Sequence, residues 1–150
     1  MSQSLTNILV HMIFSTKDRQ SLINPSVEGQ LHAHMAAVFK EYDSPALIIG
    51  GTENHVHILC SLSKKYSLSK ILEDVKKCSS KWIKTIDPDC RKFYWQNGYG
   101  AFSIGFSGKT ATVNYIKNQK EHHRNRTFQE EFLEFLNKYQ VNYDERYLWD

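Results

Sequence analysis

The chain is poor in several features that define common classes. Its 150 residues include three prolines, seven glycines and three cysteines. Cys60, Cys78 and Cys90 are odd in number, widely spaced and form no C-x-x-C pair. That excludes a disulfide framework and a cysteine-built zinc site, and a reducing, cytoplasmic compartment is the expectation. No apolar run approaches the ~18 residues that would span a bilayer. The start, Met1–Thr6, is short and polar with no basic region feeding an apolar stretch, so neither a membrane anchor nor a signal peptide is expected. Charge of one sign is also scarce. Lys plus Arg is 19 and Asp plus Glu is 16, a net +3 that permits a nucleic-acid partner without demanding one.

Hydrophobic residues at 41% and charged residues at 23% exclude a disordered chain. The length suits one domain over residues 1–150, with a core over about 1–126 and a C-terminal helix and docking tail over about 127–150.

Ile8–Phe14 is apolar on both parities apart from His11, the pattern of a central strand. Asn24-Pro25 reads as an N-cap with proline at the first helical position. Val27, Leu31, His34, Met35, Val38 and Tyr42 then recur at helical spacing, predicting a helix over 25–41. Ala46–Ile49 reads as a strand stopping at Gly50-Gly51, and His55–Leu59 as its hairpin partner. Ser67–Lys84 is a second helix with Leu68, Ile71, Leu72, Val75, Ser79 and Trp82 inside. A short strand follows near Ala101–Phe106, then a third helix over Thr110–Arg124. A fourth helix, Phe128–Tyr139, carries Phe128, Phe132, Phe135, Leu136 and Tyr139 on one face. The predicted class is α+β: a ferredoxin-like βαββαβ antiparallel sheet with additional C-terminal helices. The first two helices would cover one sheet face and leave the other open for a site.

Two His-x-His pairs occur, and geometry separates them. His32 and His34 lie in a predicted helix, where residues two apart point about 200° apart, so they cannot converge on one ion. His55 and His57 lie in a predicted strand, where residues two apart share a face. Val56, Ile58 and Cys60 take the opposite, helix-facing parity, which puts the two imidazoles on the open face. They read as a metal-binding pair or as surface residues. In the third helix Tyr115, Asn118, Gln119 and His122 fall on one face at i, i+3, i+4 and i+7. That polar face suits a helix laid over a site, or an ordinary solvated helix anchored by Tyr115. His122-His123 reads as helix surface.

Asn54-His55-Val56-His57-Ile58-Leu59 resembles the HUH motif (His, hydrophobic, His), and Tyr115-Ile116-Lys117-Asn118-Gln119 resembles a Tyr-x-x-x-Gln motif. Together they are similar to the single-tyrosine HUH transposases of bacterial insertion sequences (TnpA type). Thr16–Arg19, Trp95–Ser103 and Tyr143–Trp149 resemble further signatures of that family. The resemblance implies that Tyr115 is a nucleophile forming a 5′-phosphotyrosine link. It implies that His55, His57 and Gln119 bind Mg²⁺ or Mn²⁺. It further implies single-stranded DNA beside hairpins at element ends as substrate, and a homodimer whose tyrosine helix works in cis or in trans.

Lys70, Lys77, Lys81 and Lys84 form one basic stripe on the second helix. With Lys17 and Arg19 it could track a DNA backbone, and Trp95 and Tyr99 could stack on unpaired bases. A solvated face for the lysines and core packing for Trp95 are the plain alternatives. The competing functions are a non-catalytic or domesticated DNA-hairpin-binding protein on the same scaffold, and an unrelated His-dependent metal hydrolase.

Overall fold

A computed structural model describes residues 2–150. β1 (Leu9–Ser15), α1 (Pro25–Glu41), β2 (Ala46–Thr52), β3 (His55–Ser61), α2 (Leu68–Ile86) and β4 (Gly100–Ile104) are followed by α3 (Lys109–Lys117), α4 (Gln119–His122) and α5 (Phe128–Lys138). The sheet order is β2-β3-β1-β4, with every neighbouring pair antiparallel. This is the βαββαβ plan of the sequence reading, with three helices appended.

Every residue of β1 is buried, because the strand is central and both its faces are covered. Val10, Met12 and Phe14 join Val56, Ile58 and Cys60 of β3 in the main core beneath α1 and α2. Ile13 takes the other parity and packs with Phe102, Phe128, Phe132 and Leu136, while Leu9 and Leu59 pack with Ile116 of α3. The second face is therefore not open, as the sequence suggested, but roofed by α3 and α5. The sheet is the middle of three layers. The reason is compositional: α5 carries a phenylalanine stripe that can be buried only against that face.

Local sequence sets the helix starts. Asn24 Oδ1 accepts from Ser26 N, and Pro25 supplies the first helical residue of α1. Ser67 Oγ accepts from Lys70 N at the start of α2. Thr127 and Glu130 form a reciprocal capping box on α5.

Two boundaries differ from expectation. β2 continues through Gly50-Gly51 to Thr52, and only Glu53-Asn54 turn the hairpin. Here the glycines serve packing rather than turning. A Cβ on Gly50 would run into the Ile116 carbonyl, and one on Gly51 into the His55 carbonyl. Gly50→Ala is accordingly expected to lose about 1–3 kcal/mol of stability in denaturant titration. An unchanged unfolding midpoint would show that α3 does not rest on this glycine. The third predicted helix is likewise broken, at Asn118 (φ −101°, ψ 26°). The Asn118 side chain donates to the Asn114 carbonyl at 3.0 Å, competing with helix continuation. The break separates the tyrosine turn, α3, from the turn that carries Gln119, α4.

Beyond α5 only the end of the tail touches the body, with Tyr143 and Tyr147 exposed. Leu148 and Trp149 pack on the α5 cluster, and the Trp149 carbonyl accepts from Arg19 Nη1 at 2.8 Å. Among the described residues no helix is long and apolar enough to cross a membrane.

Candidate active site

The covered sheet face buries five polar side chains where packing would favour apolar ones: His11, His55, His57, Gln119 and Glu131. Strand parity supplies the histidines. His55 and His57 are i, i+2 on β3, and His11 comes from the adjacent β1, where its Nε2 lies 2.8 Å from His57 Nδ1. α4 supplies Gln119, whose Oε1 lies 2.9 Å from His55 Nε2. α5 supplies Glu131, fully buried, with Oε1 2.8 Å from His57 Nε2. His123 follows α4 directly and places Nε2 3.0 Å from the same oxygen.

The other carboxylate oxygen, Glu131 Oε2, accepts from the Tyr115 hydroxyl and, at 3.2 Å, from Gln119 Nε2. Arg126 Nη2 donates to the Tyr115 oxygen at 2.7 Å. The Tyr115 ring stacks on His122 at 4.5 Å between centroids. One carboxylate thus joins the histidine cluster to the tyrosine, and all these groups belong to one chain.

Hydrogen-bond logic tests whether the cluster suits a metal. His55 Nδ1 sits 2.8 Å from Asn54 Oδ1, an acceptor, so Nδ1 carries the proton and Nε2 keeps its lone pair. That lone pair faces Gln119 Oε1, itself an acceptor, because the amide nitrogen is turned to Glu131. The same holds at His123. Nδ1 donates to the Arg126 carbonyl at 2.8 Å, and the buried Nε2 faces a carboxylate oxygen with no hydrogen bond formed. Acceptors aimed at one another in a buried site are repulsive unless a cation sits among them. One ligand atom from each of His55, His57, His123 and Glu131 lies within 4.8 Å of the others. Asn54 and Thr52 orient His55, and His11 orients His57, as outer groups commonly do around metals. The residues fit a divalent ion.

Protonation states agree. Burial, with the neighbouring His57, holds His11 at about 3, and burial again leads at His55, also at about 3. Burial lowers His57 as well, against the pull of Glu131. His11, His55 and His57 are therefore neutral near pH 7, which leaves His55 and His57 able to ligate. Burial alone would raise the Glu131 carboxyl, but its polar contacts, His57 Nε2 and the Tyr115 hydroxyl among them, hold it well below the carboxylate range. Burial, reinforced by Glu131, pushes the Tyr115 phenol well above its ordinary value.

Between pH 6.5 and about 3 the unfolded chain binds protons on His11 and His55 that the folded chain refuses. Stability of the metal-free protein should therefore fall as pH drops below about 6.5, by about 1.4 kcal/mol per pH unit for each such group. Thermal melts in chelator from pH 7 to 5 check this, and a flat melting temperature would contradict it.

Of the residues expected from sequence, Tyr115, His55, His57 and Gln119 converge here. His11, His123, Arg126 and Glu131 escaped the sequence reading. Glu131 left a signal: it shares the inner stripe of α5 with Phe128 and Phe135, at i+3 and i−4 from them. A carboxylate inside an apolar stripe asks for a partner.

The expected DNA-contact residues are scattered. The stripe of α2 lies across the sheet from the histidines. There Lys70 pairs with Asp74 at 3.6 Å, Lys84 caps the Tyr94 ring, and Lys77 and Lys81 are exposed. Lys17 is exposed, while Arg19 is engaged by Trp149. Tyr99 is partly exposed beside Lys76. Trp95 departs from its expected stacking role. Only 7% exposed, it packs between Phe14 and Phe93 and donates Nε1 to Ser79 Oγ. Its hydrophobic area is better buried in the core than offered to a base.

Residues 4–119 match the family model described as transposase, IS200-like. No curated protein matches the chain. Among solved structures, one from Deinococcus radiodurans R1 with a provisional transposase assignment aligns at TM-score 0.62 and 16% identity, covering 79% of this chain and 98% of that one. A REP-associated tyrosine transposase bound to a REP hairpin aligns at TM-score 0.63 and 15% identity, covering 83% of this chain and 75% of that one.

Proposed function

The chain belongs to the IS200-like transposase family, and from that premise we propose that it cuts and rejoins single-stranded DNA through a 5′-phosphotyrosine on Tyr115. The observation that carries this reading is the Tyr115–Glu131–His57 connection, which ties a half-buried phenol to a metal-competent histidine cluster.

His55, His57, His123 and Glu131 Oε1 would hold the divalent ion, with Gln119 Oε1 as a further ligand. When bound, the ion supplies electrophilic polarisation of the scissile phosphate and neutralises charge in the transition state. The donor set is rich in imidazole, which suits Mn²⁺ better than Mg²⁺, a cation that prefers oxygen and keeps its waters. Tyr115 stays protonated until reaction, because burial and Glu131 raise its phenol. As its oxygen bonds to phosphorus, the proton passes to Glu131 Oε2, which already accepts its hydrogen bond. The DNA 3′ oxygen departs with the electrons of the broken P–O bond and takes a proton from water. The aryl phosphate ester keeps the energy of the cut bond, so a free 3′-hydroxyl can reverse the step. Each chain has one such tyrosine at its own site, so joining two DNA ends takes two copies acting together. A DNA hairpin beside the cut is the proposed recognition element, and the cytoplasm the proposed place of work.

The test is a denaturing gel of protein incubated with Mn²⁺ or Mg²⁺ and a labelled single-stranded oligonucleotide from the flanks of its own gene. A covalent adduct that needs metal is expected, stronger with Mn²⁺. DNA retarded on a native gel but never cut would instead indicate a hairpin-binding protein.

A further inference from the structure

A cleft of about 320 Å³ opens beside Tyr115, between α3 and α5. Its walls include His11, Tyr115, Arg126, Phe135, Lys138 and Tyr139. We propose that this cleft is a nucleotide subsite: Arg126 binds a backbone phosphate and the rings of Phe135 and Tyr139 receive the adjoining base, so that it holds the nucleotide next to the scissile phosphate. This rests on the strand-cleavage reading and adds the substrate contact that reading lacks. Arg126, Phe135, Lys138 and Tyr139 lie beyond residue 119, where the family match ends.

Three observations carry it. The first is aromatic surface at the edge of the core, where Phe135 and Tyr139 each stack on Phe102, at 5.6 and 4.8 Å between centroids, and still line the cleft. Phe135 and Tyr139 are only partly buried, and their rings are nearly parallel, at 10° and 6.4 Å between centroids. His11 and Tyr115 meet Phe135 edge-on, at 5.2 and 5.7 Å, and close the cleft's inner end. Such rings take any base through its π-face. The second is charge. Arg126 is 24% exposed and Lys138 is exposed, so two cations border the aromatic walls. A mouth combining cations with aromatic rings matches an anionic phosphate carrying a base. The third is position. Arg126 Nη2 already touches the Tyr115 oxygen, the atom that would attack phosphorus. A phosphate on this guanidinium is therefore within reach of the nucleophile.

Glu134 explains how the cation is held meanwhile. Its carboxylate pairs with Arg126 Nη1, and its side chain is 62% exposed and free to swing into solvent. It is a placeholder for phosphate, and removing its charge should strengthen anion binding.

The test is calorimetric titration of the full chain, in chelator so that no metal binds phosphate. The probes are the four deoxynucleoside 5′-monophosphates, deoxyribose 5-phosphate and inorganic phosphate. At least one monophosphate should bind tenfold or more tightly than deoxyribose 5-phosphate. Tyr139→Ala should remove that excess and leave deoxyribose 5-phosphate unchanged. Arg126→Gln should weaken every probe tenfold or more, and Glu134→Gln should tighten every probe. Glu134→Gln removes only an exposed charge, so it keeps the test decisive if Tyr139→Ala fails to fold. Monophosphates that bind no better than deoxyribose 5-phosphate overturn the subsite, as does a Glu134→Gln chain with unchanged affinities. If the Tyr115 adduct forms while no monophosphate binds, the subsite fails and strand cleavage stands. If monophosphates bind and no adduct ever forms, strand cleavage fails and the cleft stands as a nucleotide-binding site without that role.

Discussion

Tyr115→Phe is expected to form no covalent adduct with DNA and to lose cleavage by roughly 10³-fold or more, at least about 4 kcal/mol of barrier. The substitution deletes one oxygen. That oxygen donates to Glu131 Oε2 and accepts from Arg126 Nη2, and no other hydroxyl of the cluster stands in its place. The ring remains to pack on His122 and Phe135, so the fold should persist. Loss of this part-buried hydrogen bond to a charged carboxylate should cost about 1.5–3 kcal/mol in stability. Melting and gel assays on one preparation separate the two effects. Cleavage near the original rate in this variant would favour a metal-activated water, the hydrolase reading.

Glu131→Ala has the second large effect, and it should show in the absence of DNA. The carboxylate is fully buried and answers His57, His123, Tyr115, Gln119 and Arg126 together. Its removal leaves those groups facing one another without the central anion. Breaking a buried charged network in this way commonly costs about 3–5 kcal/mol. Mn²⁺ affinity should fall roughly 100-fold or more, since both a ligand oxygen and the group positioning Gln119 disappear. Calorimetric Mn²⁺ titration together with urea unfolding checks both. Affinity within threefold of the parent would show that Glu131 fills the site without ligating. Glu131→Gln is the control. It keeps the shape and one acceptor oxygen but not the charge, and its metal affinity should lie between the two.

Much of this was legible from residue spacing. The strand parity that sent Val56, Ile58 and Cys60 inward also sent His55 and His57 to one face, and the structure keeps that division. The spacing of Tyr115 and Gln119 set both on one polar helix face, and the family resemblance joined that face to the histidines. What escaped was tertiary in origin. His11 looked like an interruption of an apolar strand, and only the β1–β3 register brings it to His57. His123 looked like surface on a continuous helix. The break at Asn118 sets Gln119 and His123 on a separate turn over the strand pair. Glu131 and Arg126 lie after the tyrosine motif, and no local rule joins them to residues 16 and 11 positions upstream. The glycines at 50 and 51 were misread for the same reason. Locally they signal a turn, while in the fold Gly50 admits the α3 backbone and Gly51 the His55 backbone of β3.

The most direct measurement locates the DNA on the protein. Protein treated with Mn²⁺ and a single-stranded oligonucleotide is digested with nuclease and protease, and the modified peptide is sequenced by mass spectrometry. The expected result is a nucleotide phosphate on Tyr115, formed with Mn²⁺ and absent in chelator. A phosphate on another residue, such as Tyr99, or cut DNA with no modified peptide, would contradict the account.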